Sequence, residues 1–200
     1  VNHQELGVCA ISISGHKVGG PHGVGALVVN RDCKITPLIH GGGQERDVRS
    51  GTLDTPAIVS LAQAMQIVDQ RRDDEVQRIS QLRDYLVSCV KQIAPDAIFN
   101  GDPQNRLANN AHFTFPGCLG DSLLMLLDAQ GVECSVGSAC NAGVPQPSHV
   151  LLAMGASQDD ARSTLRFTLG YTSTKADVDE LLAALPSALE RARKAGMPKL

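Results

Sequence analysis

No stretch of this chain is basic enough to follow a nucleic-acid backbone. Lys and Arg number 18 against 21 Asp and Glu, both signs are scattered, and the formal net charge is -3. Nucleic acid is therefore not expected as a partner. No apolar run approaches the ~20 residues that a membrane span needs, so a membrane is not expected either. The opening VNHQELGV is too polar and too short for a secretory signal. CxxC pairs are absent, which argues against a closed structural zinc site. Internal repeats and low-complexity segments are missing too. What remains is ordinary globular composition, 42% hydrophobic and 20% charged, from which a real core is expected.

Six cysteines are present: Cys9, Cys33, Cys89, Cys118, Cys134 and Cys140. Their number is even, but they form no dense framework, so reduced thiols and a cytoplasmic location are expected. Cys9, Cys89, Cys118 and Cys134 lie in or beside apolar segments and read as small buried hydrophobes. The chain starts at Val1 and enters an apolar, buried-looking strand at once. A chain entered in mid-fold, an alternative start and a processed terminus are all compatible with that.

Val8–Ile13 and Gly23–Val29 read as strands joined by a tight glycine-rich connection. A loop containing three consecutive glycines follows. A long helix is then expected, with Thr55 as N-cap, Pro56 as first helical residue and Pro95 as its stop. Its stripe is Leu61, Met65, Val68, Val76, Ile79, Leu82, Leu86, Val90 and Ile93, and RRDDE at 71–75 is its solvated part. Beyond it, Ala97–Asn100, Ala111–Phe115, Val132–Val136 and Thr164–Leu169 read as strands. Asp121–Gln130 and Ser148–Met154 read as helices. A last helix is capped by Thr174 with Asp177 three residues on, and Pro186 should kink it or remove a hydrogen bond.

Three places carry chemistry. Ser14-Gly15-His16-Lys17 ends the first strand. A lysine held there can lose its proton when desolvated and become available for Schiff-base chemistry, with Ser14, His16 and backbone amides as phosphate donors. A lone lysine beside glycines is also a common solvated loop residue. The second place is Cys140 in SVGSACNAG, flanked by small residues and followed by a Gly, Pro and Ser-rich loop, where a thiolate is sterically free to act as nucleophile. The third is Arg166 in STLRFT, alternating with Leu165 and Phe167. Its guanidinium fork matches a carboxylate; a solvated strand face would also accept an arginine there.

SGHKVGGPHGVGAL and HGGGQERDVRSGT resemble successive blocks of the class V aminotransferases, in particular the cysteine desulfurases. SVGSACNAG resembles the cysteine loop of the desulfurase branch, with Asn141 where relatives more often carry Thr or Ser. STLRFT resembles the family's Arg-Phe-Ser-Leu-Gly block. The resemblance covers essentially the whole chain but only the later part of the family's. It implies an α/β protein of the pyridoxal-phosphate (PLP) dependent transferase fold type I: residues 1–93 as part of the large domain with its connecting helix, and residues 94–200 as a small α+β domain. It implies Lys17 as the cofactor lysine, Ser14 and His16 on the cofactor phosphate, and Thr52 reaching the cofactor of a neighbouring subunit in a homodimer. Arg166 would hold the α-carboxylate of L-cysteine. Cys140 would take the sulfur as a persulfide, releasing alanine, and pass it to an acceptor such as an iron–sulfur scaffold protein or a tRNA-thiolation enzyme. No resident metal is implied, and transient iron–sulfur ligation by Cys140 stays open. The family's earlier segment supplies the histidine on the cofactor ring and the acid on its nitrogen; neither is assignable here, and His3 lies too close to Lys17. The chain alone is therefore expected to bind PLP poorly and to be inactive. A selenocysteine lyase, and a non-catalytic chain that only dimerises or pairs with a missing half, are the alternatives.

Overall fold

The computed structural model describes residues 3–137 and 147–196. They divide into two units, Val1–Asp73 and Asp74–Leu200.

In the first unit, a short helix α1 (His3–Leu6) precedes strand β1 (Ala10–Ser14), which pairs antiparallel with β2 (Gly25–Val29) from Ala10↔Val29 to Ser14↔Gly25. The expected hairpin forms, but it is not buried: Leu27 is 53% and Val28 41% exposed. Apolar strand composition promises a buried face only when a second layer covers it, and among the described residues of this unit the strands stay largely exposed. Cys9 and Cys33 are joined as a disulfide, with Cα atoms 6.0 Å apart. This corrects the expectation of six reduced thiols and of Cys9 as a buried hydrophobe. The cause is local geometry. Asn30 donates its backbone N–H to Cys9 (3.0 Å) and Cys33 donates to Asn30 (3.0 Å), folding the chain after β2 back onto the start of β1.

Helix α2 (Thr55–Ile93) begins one residue earlier than a Thr55 cap implies. Asp54 caps it instead: its carboxylate accepts from the Ala57 N–H (3.1 Å) and its carbonyl from Ile58 (3.0 Å). The expected apolar stripe divides. Leu61, Ile79, Leu86 and Val90 are buried, while Met65, Val68 and Val76 are exposed.

The second unit contains a three-stranded antiparallel sheet of order β3 (Ile98–Phe99), β4 (Asn110–Thr114), β5 (Thr164–Thr168). Helix α3 (Gly120–Asp128), the short α4 (His149–Ala153) and α5 (Gln158–Arg162), and α6 (Lys175–Ala195) complete it. Phe113 lies at the centre of an aromatic cluster, with ring centroids 5.2 Å from Phe99, 5.8 Å from Phe115 and 6.4 Å from Phe167. Leu86 and Val90 of α2, Leu123 and Leu127 of α3, and Leu185 and Leu189 of α6 belong to the same core. Arg78 binds α2 to the turn before α6 by donating to Ser173 O (2.7 Å) and Tyr171 O (3.0 Å). The Thr174–Asp177 capping box forms as the sequence predicts. Pro186 does not end α6, which runs through it; the residue sits on the exposed side and, lacking an N–H, leaves one internal hydrogen bond unmade.

Two expectations change in this unit. Val132–Val136 does not form a strand; only Ser135 pairs, as an isolated bridge to Arg166. Helix α5 was not anticipated, although Ser157 with Asp160 three residues on is a cap signal: Ser157 Oγ accepts the Asp160 N–H at 3.0 Å.

Candidate active site

Lys17 lies in a 3-10 turn, Gly15–Val18, not in an open loop. The turn is tied down at both ends: Gly15 donates to Val24 O (2.9 Å) and Gly20 to Gly15 O (2.9 Å). Gly15 is buried, and a Cβ there would sit 2.6 Å from Val24 O and 3.0 Å from Pro21 O, so only glycine lets the two chain segments approach this closely. Ser14 Oγ and His16 Nδ1 are hydrogen-bonded at 3.0 Å. The His16 ring stacks on His22, with centroids 5.4 Å apart and planes 11° from parallel. Ser14, His16, Lys17 and His22 are all exposed. A hydroxyl, two imidazoles and a primary amine thus share one short, backbone-pinned stretch, residues 14–22, running from the end of β1 toward β2. That donor set fits a phosphorylated aldehyde such as PLP: the amine suits the carbonyl, and the hydroxyl and imidazole suit the phosphate. His22 was not singled out from sequence, although its place in the same glycine-rich connection was the available signal.

Thr52 is exposed, in the same unit but on a separate loop. That loop is held by its own side chains. Gln44 Oε1 accepts the Gly51 N–H (2.9 Å), and the buried Ser50 accepts the Gly43 N–H on its Oγ (3.3 Å). Glu45, Arg46 and Asp47 all have left-handed backbone, with φ of 49°, 55° and 62°.

Arg166 is at the middle of β5 in the second unit, paired in register with His112 of β4. Its backbone exchanges two hydrogen bonds with Ser135, one of 3.1 Å from the Ser135 N–H and one of 2.8 Å to the Ser135 O. Ser135 begins the segment leading to Cys140. Cys140 itself, with Ser138, Ala139 and Asn141, lies outside the described residues. The Nε of Arg166 is buried without a hydrogen-bond partner among the described residues. On the same sheet face, the amide nitrogen of Asn100 lies 2.9 Å from His112 Nδ1 and 2.9 Å from Thr114 Oγ1. Burial, then the charges of Arg166 and Arg106, hold the His112 imidazole below its ordinary range. Sequence reading passed over this histidine, yet its alternation with Phe113 already placed it on the polar face.

Two other thiols are poor nucleophiles at neutral pH. Burial, with a contribution from the Asp128 charge, pushes Cys134 up to about 11. Burial also raises Cys118, against the opposing pull of the Arg193 guanidinium. Among the described residues, no group of three or more His, Cys, Asp or Glu is suited to a metal ion, and no helix is long and apolar enough to cross a membrane.

Residues 1–181 match the family model described as aminotransferase class-V. The chain is 56% identical over 192 residues to the IscS-like cysteine desulfurase of Mycobacterium tuberculosis, a match covering 96% of this chain and 49% of that relative. A solved NifS-like protein superposes with a TM-score of 0.83 at 33% identity, over 95% of this chain and 48% of its own. A structure described as SspA in complex with cysteine matches with a TM-score of 0.59 at 34% identity, over 84% of this chain and 46% of its own. The chain spans about half the length of the curated relatives it matches. The fold is that of the NifS-like, PLP-dependent fold type I enzymes, represented in part. On the family match and this architecture together, the chain belongs to the PLP-dependent aminotransferase class-V family.

Proposed function

We propose that this chain carries the lysine and sulfur-transfer half of a cysteine desulfurase, acting as a homodimer on L-cysteine and handing sulfur to an acceptor protein. The observation that carries this reading is the turn at residues 14–18, where Lys17 stands beside the hydrogen-bonded Ser14 and His16 on a rigid hairpin end. Relatives named as cysteine desulfurases, and the SspA structure with cysteine, support the substrate.

Ser14 and His16 would hold the phosphate of PLP, with Thr52 reaching the cofactor of the partner subunit. Bound PLP supplies an electron sink for the substrate α-carbon. Arg166 binds the α-carboxylate through its guanidinium fork and fixes the amino acid's orientation. Lys17, as a free amine, moves the proton at the α-carbon. The Cys140 thiolate attacks the substrate sulfur; the bond between that sulfur and the substrate β-carbon breaks, its electron pair stays on carbon, and a proton there completes alanine. Cys140 is left as a persulfide. It must be a free thiol to begin, which favours a reducing compartment such as the cytoplasm; the Cys9–Cys33 bond argues the other way.

The exposed hairpin favours a second statement. With Leu27, Val28 and Val8 all more than a third exposed, the cofactor turn rests on a unit with little core of its own. We therefore expect the 200-residue chain alone to bind PLP weakly, and to bind it firmly once the remaining half of the M. tuberculosis relative is co-produced with it.

The experiment is to add PLP and L-cysteine to the chain with and without that half. Absorbance reports PLP on Lys17, and mass spectrometry reports one added sulfur on Cys140. Persulfide formation that disappears in Lys17→Ala and in Cys140→Ser supports the reading. A persulfide that survives Lys17→Ala, or turnover of selenocysteine but not L-cysteine, overturns it. A stable PLP band on the chain alone, lost in Lys17→Ala, refutes the expected weakness.

A further inference from the structure

The sheet of the second unit has two unlike faces. Ala111 and Phe113 of β4, with Leu165 and Phe167 of β5, point into the core. His112 and Arg166 alternate with them and are direct cross-strand partners, so their side chains share the opposite face. On that face Arg166 keeps a buried Nε with no acceptor among the described residues. Such a buried guanidinium N–H is satisfied when an anion docks beside it, and the half-buried Arg166 leaves room for one.

His112 is prepared for the same anion. The Asn100 amide nitrogen is within hydrogen-bond distance of both His112 Nδ1 and Thr114 Oγ1, 2.9 Å in each case. An amide NH2 has two protons to give, and here it gives one to each. Nδ1 is then an acceptor, and the neutral ring carries its proton on Nε2. The charged groups acting on the ring are Arg166 from β5 and Arg106 from the segment joining β3 to β4; Asn100 is its neutral hydrogen-bond partner and is itself bonded to Thr114. Two guanidiniums nearby would repel an imidazolium, so the ring offers a proton without adding a charge.

We propose that His112 is a second donor at the anion site of Arg166, its neutral Nε2–H hydrogen-bonding the amino acid's α-carboxylate beside the guanidinium. This rests on the reading of Arg166 as the carboxylate anchor. One cation plus one neutral donor matches a singly charged carboxylate. Asn100 is the positioning residue, because it selects the tautomer that presents the donor.

The test has two arms. In the first, the full chain is labelled with nitrogen-15, and long-range imidazole spectra are recorded while acetate is titrated in at constant ionic strength with chloride. The expected result is a His112 ring protonated at Nε2 whose Nε2 signal moves with acetate, with that movement lost in Arg166→Ala. A ring protonated at Nδ1, or an Nε2 signal that ignores acetate, overturns the proposal. In the second arm, the chain is co-produced with the remaining half of the M. tuberculosis relative and loaded with PLP. There, His112→Ala should raise KM for L-cysteine about tenfold with kcat little changed, the size expected for one hydrogen bond to a charged group. His112→Gln, which keeps an N–H donor, should recover most of that loss. An unchanged KM in His112→Ala also overturns the proposal. If no desulfurase activity is found, the proposed function fails while the acetate arm still judges His112.

Discussion

The two units of this chain use similar apolar residues to opposite effect. From residue 79 onward, the apolar positions of α2, β4, α3, β5 and α6 converge, and Leu86, Phe113, Phe115, Leu127 and Leu185 are fully buried. In the first unit Leu38 is 91% and Val59 60% exposed, and Leu61 is the one hydrophobic residue found buried among those described. The second unit is held by a shared core. The first is held by local devices: the β1–β2 ladder, the Cys9–Cys33 bond and the clasps made by Gln44 and Ser50. An apolar strand or helix stripe thus becomes core only where the same unit supplies a second layer for it. The groups suited to the cofactor stand on the locally braced unit, and the arginine suited to the substrate stands on the packed one.

Core truncation tests this contrast most strongly. Phe113→Ala should cost about 3–5 kcal/mol, as expected for a large buried aromatic, while Leu27→Ala should stay within about 0.5 kcal/mol. Denaturant unfolding of both variants measures the difference. A large loss in Leu27→Ala would mean that the hairpin is covered after all, and the contrast would fall.

A smaller effect is expected at the brace. The Cys9–Cys33 bond closes a 24-residue separation, and a loop of that order is worth about 3 kcal/mol in the chain-entropy picture. Treatment with a dithiol reductant should raise amide exchange in residues 9–33 and leave β4 and β5 unchanged. Equal loosening of both units would show that the brace serves the whole chain.

The smallest expected effect is the pH response of His112. Its folded value is lowered by burial and by the neighbouring guanidiniums, so the fold favours the neutral ring. The associated stability is fully present above the unfolded value of about pH 6.5 and is lost as pH falls through the folded value. Unfolding followed between those limits should show the second unit weakening in acid, and His112→Gln should flatten that slope. An unchanged slope would remove His112 from the account.

Much of the second unit was legible in the sequence because its signals are short-range and agree with its packing. The Thr174–Asp177 cap, the alternation in β4 and β5 and the late stripe of α2 all point the same way. The first unit was legible in its elements but not in its burial, since Met65 and Val68 repeat at helical spacing whether or not anything covers them. The Cys9–Cys33 bond was missed because pairing depends on where a turn returns the chain, which spacing does not reveal. At the site, Ser14, His16 and Lys17 were found together because they are neighbours in sequence. His112 was passed over because its meaning comes from a strand partner 54 positions later, as the pairing with Arg166 shows.

Glu45, Arg46 and Asp47 keep left-handed backbone in succession, a conformation costing L-residues roughly 1–2 kcal/mol each. Glycine would remove that cost at every one of the three. A mutational library screened only for folded protein should accordingly fill these positions with glycine. A library co-produced with the remaining half of the M. tuberculosis relative and screened for PLP binding should keep side chains there if the loop's shape depends on them. The difference between the two populations would read out, position by position, how much stability this loop trades for its form.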